Sequence, residues 1–306
     1  MTSRVTISLD KLLMLKAKAR GFSFRSKQPA GSLLSGRHAS RLRGRGLSFE
    51  ELRAYHPGDD IRLMDWKATA RLRSPQIRVY NEERDRPLLL LVDQRSTMFF
   101  GSQVAMKSVV AAEVAALSGW KALEGGDRVG SIVFNEQRIE ETRPHRSQSR
   151  LLQVFHQLVS FNQELTKPKL PVGTIGINSV LKRAATVAKH DHLIILISDL
   201  IGIDNETQQL ASQLAAHNDV LIAVVYDPLG ITLSGDSDMV AEQQGKTWKI
   251  PKGGRFSEDF KSVFEEQFVH WQRIFQSLKI PLFPITTARP AIDQIRSRLG
   301  EPSRPA

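Results

Sequence analysis

"LLLLVDQRSTMFFGS", residues 88–102, opens on five apolar residues, turns polar at Asp93 and runs on as a hydroxyl-bearing loop. Unbroken apolarity of this kind marks a strand buried on both faces, hence a parallel sheet covered by helices. Four other segments share the texture: "DRVGSIVFN" (127–135), "HLIILISD" (192–199), "DVLIAVVYD" (219–227) and "PLFPITT" (281–287). Helical patterns separate them, at roughly 103–124, 147–161, 176–189, 206–217, 256–278 and 290–299. Strand and helix alternating in this way predict an α/β fold with a doubly wound, mostly parallel sheet. Such sheets bind ligands at the carboxyl ends of their strands, which is where Asp93 and Asp199 fall. The stretch "MVAEQQGKTWKIPKGG" (239–254) reads as a surface hairpin.

The 306 residues include no cysteine, which excludes thiolate metal sites, thiol nucleophiles and disulfides. No stretch approaches the roughly 18 apolar residues of a membrane span, so a cytosolic location is expected. The net charge of +11 is unevenly spread: residues 1–86 hold 19 Lys and Arg against 9 Asp and Glu, the remainder 24 against 23. This divides the chain into a basic N-terminal segment (1–86), an α/β domain (87–300) on which that segment is expected to pack, and a tail (301–306).

Within the basic segment, "ISLDKLLMLKAKA" spaces Ile7, Leu12, Leu13 and Leu15 as on one side of a short helix. Ser48 followed by Glu51 has the pattern of a capping box and predicts a helix that stops at "HPG". Asp59 or Asp60 would cap a second short helix containing Met64, Trp66 and Ala70, and "QIRVY" alternates as a strand. Trp66 and Trp120 are assigned packing roles, and the charges of "YHPGDDIRLMDW" are expected to pair with one another at the junction. His190 and His192 flank Asp191 in what reads as a surface loop.

Three separated segments converge on one sheet edge. Asp93, Ser96 and Thr97 follow the first strand, Thr174 lies in "PVGTIGINSVL" ahead of a helix, and Ser198 and Asp199 close "LIILISD". Carboxylates and hydroxyls without histidine or cysteine suit a hard, oxygen-bound cation of the magnesium type. By their position at strand ends, Asp93 and Asp199 read equally as helix caps. The arrangement resembles the metal-ion-dependent adhesion site of von Willebrand factor A domains, with its D-x-S-x-S run, its threonine in a "GT" loop and its aspartate at the end of a later strand. "GRGLSFEELRAYHPGDDIRLMDWKATAR" followed by "YNEERDRPLLLLVDQRSTMFFG" resembles the signature of domain-of-unknown-function family 58, over roughly residues 36 to 230. That resemblance implies a von Willebrand factor A-like fold. It also implies a protein partner, a MoxR-type AAA+ ATPase or its client, contacted through the adhesion-site face as adaptor or co-chaperone.

The sequence departs from that motif at Arg95, which stands where the first serine belongs, and Thr97 replaces the second. Asp93, Thr97, Thr174 and Asp199 match by type. A guanidinium about 4 Å from a divalent cation would repel it by roughly 8 kcal/mol at an effective dielectric of about 20. A millimolar site has only about 4 kcal/mol to oppose that. An inward Arg95 therefore serves as a built-in cation for the two aspartates, and no tight metal is expected. An outward Arg95 would leave a weak magnesium site on Asp93, Thr97, Thr174 and Asp199.

The favoured reading is a non-enzymatic interaction protein using the face of Asp93, Arg95, Ser96, Thr97, Thr174 and Asp199. The alternative is a nucleic-acid or phosphate-binding module using Arg37, Arg41, Arg43 and Arg45. Against it, "SGRHASRLRGRG" has no Phe, Tyr or Trp between its arginines, the usual platform on which bases stack. An enzyme is disfavoured, because the chain has no "GxxxxGK[ST]" phosphate loop and no "GxSxG" elbow.

Overall fold

Strand β3 (Leu88–Asp93) is buried at every residue and forms the middle of a six-stranded sheet. The structure, a computed structural model, describes residues 4–20, 22, 47–56, 59–82, 86–167, 173–228, 240–243, 246–249, 266, 268–269 and 271–299. On one side of β3 lie β4 (Val129–Phe134) and β5 (Ile139–His145), on the other β6 (Leu193–Ser198), β7 (Asp219–Tyr226) and β10 (Leu282–Thr286). All neighbours run parallel except β4 and β5. Leu88, Leu90 and Val92 project into one core, with α1 (Leu9–Lys18), α3 (Lys107–Glu124), α4 (Gln148–Glu164) and α8 (Ala291–Leu299). Leu89 and Leu91 project into the other, with α5 (Ile177–Val187), α6 (Asn205–His217) and α7 (271–277). Period-two alternation within an all-apolar strand thus feeds both faces, and the fold is the doubly wound, mostly parallel α/β sheet expected from sequence.

The chain runs from β3 outward to β4, then returns to place β6 on the other flank of β3. This reversal opens a crevice between the carboxyl ends of β3 and β6, the position at which open α/β sheets hold ligands. Strand β5 was not anticipated. Its sequence IEETRPH is polar and contains Pro144, both tolerated because it is an antiparallel edge. β8 (Val240–Gln243) and β9 (Lys246–Lys249) pair antiparallel, as the expected hairpin requires.

The chain divides into two units, residues 36–85 and the remainder, so the described residues 4–20 and 22 belong with the α/β sheet instead of with the basic segment that follows them. Ser8 caps α1, whose Leu12 and Leu15 are buried. The Ile7 N–H donates to Asn162 Oδ1 (2.8 Å) and the Trp120 indole N–H to the Leu12 carbonyl (3.0 Å). Trp120 also meets Phe155 edge-on, the packing role expected of it.

The small unit corrects the first predicted helix. Leu47–Ala54 is a strand, β1, paired antiparallel with β2 (Gln76–Glu82) and bulged between Phe49 and Glu51. A helix of that length gains little on its own, whereas "QIRVY" supplies a partner for a full ladder. The second predicted helix is split: Asp60 caps a 3-10 turn over Ile61–Leu63 and Asp65 caps α2 (Trp66–Leu72), which ends at Arg73 in the left-handed region. Trp66 is 67% exposed, so its assigned packing role fails in this unit. Arg53 grips Asp59 through two N–H groups (2.9 and 2.7 Å), while Asp65 takes Arg78 (2.8 Å).

These contacts fix how the small unit responds to acid. The Arg53 hydrogen bond holds the Asp59 carboxyl below the ordinary value of 3.8, and the Ala68 N–H and Arg78 do the same for Asp65. A depressed folded pKa contributes stability that is present above the unfolded value and is lost as pH falls through the folded one. Amide signals from Leu52 and Ile77 should therefore collapse below about pH 3.8. An Asp59→Asn/Asp65→Asn variant should be less stable at neutral pH and show a flatter acid profile.

Candidate functional site

Asp93 ends the central strand with no solvent exposure at all. A carboxylate cannot sit there without donors, and the chain provides them within two residues. The loop turns directly into a 3-10 turn over Ser96–Met98, which brings the Arg95 side chain back over the strand end. Its backbone N–H and its Nε each donate to Asp93 Oδ1 at 3.0 Å, and its Nη2 donates to Oδ2 at 2.7 Å. The Ser198 hydroxyl, from the end of β6, also donates to Oδ2 (2.7 Å). Burial pushes the Asp93 carboxyl up, against the Arg95 guanidinium and the Ser198 hydroxyl, which pull it down. Burial also works against the charge on Arg95, but Asp93 holds its pKa above the ordinary value. The Phe134 ring lies 5.8 Å from the guanidinium carbon, within cation–π range.

Asp199, the next residue after β6, completes the cluster. Arg95 Nη2 lies 3.7 Å from its Oδ1 and donates to the Ile201 carbonyl at 3.0 Å. The Ile201 N–H donates to Asp199 Oδ1 (3.1 Å). Leu200 and Gly202 both adopt positive φ in this turn, and Gly202 faces Arg95 Nη1, so the backbone curls around the guanidinium. Asp199 Oδ2 accepts from Lys107 Nζ at 2.8 Å. Sequence reasoning missed Lys107, yet a signal was present. It opens α3, the positive end of a helix dipole, where lysine is unfavourable unless a carboxylate answers it.

The remaining candidates are placed differently. Ser96 turns away from the aspartates and donates through its N–H (2.7 Å) and its hydroxyl (2.6 Å) to Glu136 Oε1, a second residue that sequence did not flag. The Thr97 hydroxyl is buried without a hydrogen-bond partner. Thr174 is exposed, although its neighbours reach the same region: the Ile175 N–H donates to the Glu136 carbonyl, and a Cβ on Gly173 would overlap that carbonyl. Asp93, Arg95 and Asp199 are thus brought together, Ser96 and the Thr174 loop meet at Glu136, and Arg37, Arg41, Arg43 and Arg45 lie outside the described residues. The His190–Asp191–His192 loop is a surface turn, as expected.

A divalent cation does not fit this donor set. All four oxygens of Asp93 and Asp199 already accept from side-chain or backbone donors, and two of those donors are themselves cations. Among the described residues no group of three or more acidic, histidine or cysteine side chains is arranged to hold a metal ion. Around the buried charges the surface is partly apolar. Phe100 and Ile201 are 46% and 48% exposed, and Val104 is exposed beside them in sequence. The Phe100 carbonyl accepts from the Lys107 N–H (2.7 Å) and the Ile201 carbonyl from Arg95, so these two residues flank the cluster. Asp227 anchors the loop between Phe100 and α3 by accepting from the N–H and hydroxyl of Ser102, and it also accepts from Thr287.

Residues 51–269 match the family model described as a protein of unknown function, DUF58. An uncharacterized protein of Mycobacterium tuberculosis, Rv1480, is 27% identical over 278 residues, covering 90% of this chain and 86% of that one. Among solved structures, the conserved hypothetical protein BatB from Bacteroides thetaiotaomicron is 16% identical with a TM-score of 0.42, and an aerotolerance-related membrane protein from Bacteroides fragilis is 15% identical with a TM-score of 0.43. Each covers 70% of this chain and 98% of its own.

Removing one member of a buried charge pair leaves the other uncompensated, at a cost of about 3–5 kcal/mol. Arg95→Met should therefore destabilise the α/β unit by that amount in urea unfolding. Ser96→Ala, which removes one part-buried hydroxyl donor, should cost about 1–2 kcal/mol.

Proposed function

Because the chain belongs to the DUF58 family, whose function is unknown, we propose that it is a non-enzymatic adaptor that binds a protein partner through the strand-end face. The partner implied by the family resemblance is a MoxR-type AAA+ ATPase, working with this chain as a co-chaperone. The observation that carries this reading is the neutralised centre of the face. Both strand-end carboxylates are committed to Arg95 and Lys107, so neither is free to act as a general acid or base. The Ser96 hydroxyl donates to Glu136, a contact without the histidine that would make a nucleophile relay. What surrounds that centre suits contact instead of turnover: exposed Phe100 and Ile201 around a floor whose buried charges are all paired. Apolar anchors around a desolvated polar centre are the usual anatomy of a binding hot spot.

Among the described residues no helix is long and apolar enough to cross a membrane, so the adaptor would meet its partner through this surface and not through a shared span. The test is direct binding between the purified chain and a purified MoxR-type ATPase, with and without a non-hydrolysable ATP analogue. Phe100→Asp and Ile201→Asp should each weaken binding by ~10-fold or more, as expected for central anchors. Charge reversal on the distant His190–His192 loop should leave it unchanged. Binding that ignores both face variants would overturn the reading, as would a hydrolytic activity abolished by Ser96→Ala.

A further inference from the structure

Lys107 changes what the strand-end site can be. Arg95 alone would balance one of the two aspartates. The structure pairs each with its own cation: Asp93 with Arg95 at 2.7 Å, and Asp199 with Lys107 at 2.8 Å, while Arg95 Nη2 reaches toward Asp199 at 3.7 Å. All four side chains are buried. Two carboxylates, one guanidinium and one ammonium sum to zero, the same balance that two carboxylates reach with a single divalent ion.

The geometry points to a site in which Arg95 and Lys107 together stand in for a divalent cation, so that the face is assembled without metal, loss of either side chain opens it in part, and loss of both converts it into a divalent-cation site. The two cations come from different parts of the fold, one from the loop after β3 and one from the first turn of α3. Each blocks a different carboxylate. Replacing Arg95 alone leaves the Lys107 ammonium on Asp199 Oδ2, so one carboxylate stays closed. Replacing both leaves Asp93, Asp199 and Ser198 at the crevice, with the unpartnered hydroxyl of Thr97 in the 3-10 turn that follows β3, an oxygen-only set suited to a hard cation. The inference stands apart from the docking reading, since a metal titration needs no partner and either can fail without the other.

The experiment is Mn2+ binding, followed by electron paramagnetic resonance, to the full chain and to Arg95→Ser, Lys107→Met and the double variant, with melting temperature in magnesium and in chelator as a second readout. The wild type should show no saturable uptake in the millimolar range, and its melting temperature should not respond to magnesium. Each single variant should gain part of the affinity, and the double variant at least ~100-fold over the wild type, with a melting temperature that rises with magnesium as bound ligand stabilises the folded state. Saturable millimolar binding by the wild type would overturn the proposal, as would a folded double variant that takes up no metal. Arg95→Ser binding as tightly as the double variant would remove Lys107 from the device. If the double variant folds in magnesium and not in chelator, the proposal is supported. If it folds in neither, the single variants decide, and no gain in either one refutes it.

Discussion

A charged side chain at the closed end of a fully buried strand sets the terms for everything around it. Asp93 has no solvent contact, and taking a carboxylate out of water costs several kcal/mol unless charge and hydrogen bonds replace the hydration. Arg95 in the loop that follows and Ser198 at the end of β6 supply that replacement, and Lys107, the first residue of α3, does the same for the neighbouring Asp199. Buried pairs of this kind are weak evidence for stability and better evidence for a required geometry. Here they lock the paths of three loops at the one crevice that the sheet topology creates.

That lock explains why the apolar rim can stay exposed. Phe100 and Ile201 are held by carbonyls that accept from Lys107 and Arg95, and the loop between Phe100 and α3 is tied down a second time at Asp227. A rim positioned by its backbone does not have to fold inward to be ordered, and a partner meeting it would lose little entropy to its ordering. The centre beneath carries no net charge, so discrimination among partners would lean on shape and apolar contact.

Much of this was legible in the sequence, for identifiable reasons. The five predicted strands of the large sheet emerged because each is apolar on both faces, a pattern with few competitors in short runs. Asp93, Arg95 and Asp199 emerged because strand ends are fixed once the strands are. What was lost depended on partners far away in sequence. β5 is polar because it is an edge. The segment after Leu47 carries a capping box, yet pairs with β2 because a ladder outweighs a cap. Lys107 looked like one lysine of a helix start, and its meaning lies in Asp199, 92 residues later. Trp66 suggested a core by its size alone, and size does not say which way a side chain faces.

The large unit is discontinuous in sequence, and this bears on how the chain is made. α1 is synthesised before the surfaces it covers, which belong to α3 and α4: Ile7 meets Asn162 across 155 positions, and Leu12 meets Trp120 across 108. During translation the apolar side of α1 therefore waits, uncovered, while residues 36–85 emerge and form their own separate unit. Contacts this remote close late and slow the search for the native state. On the ribosome the small unit can thus be finished before α1 has anything to pack against.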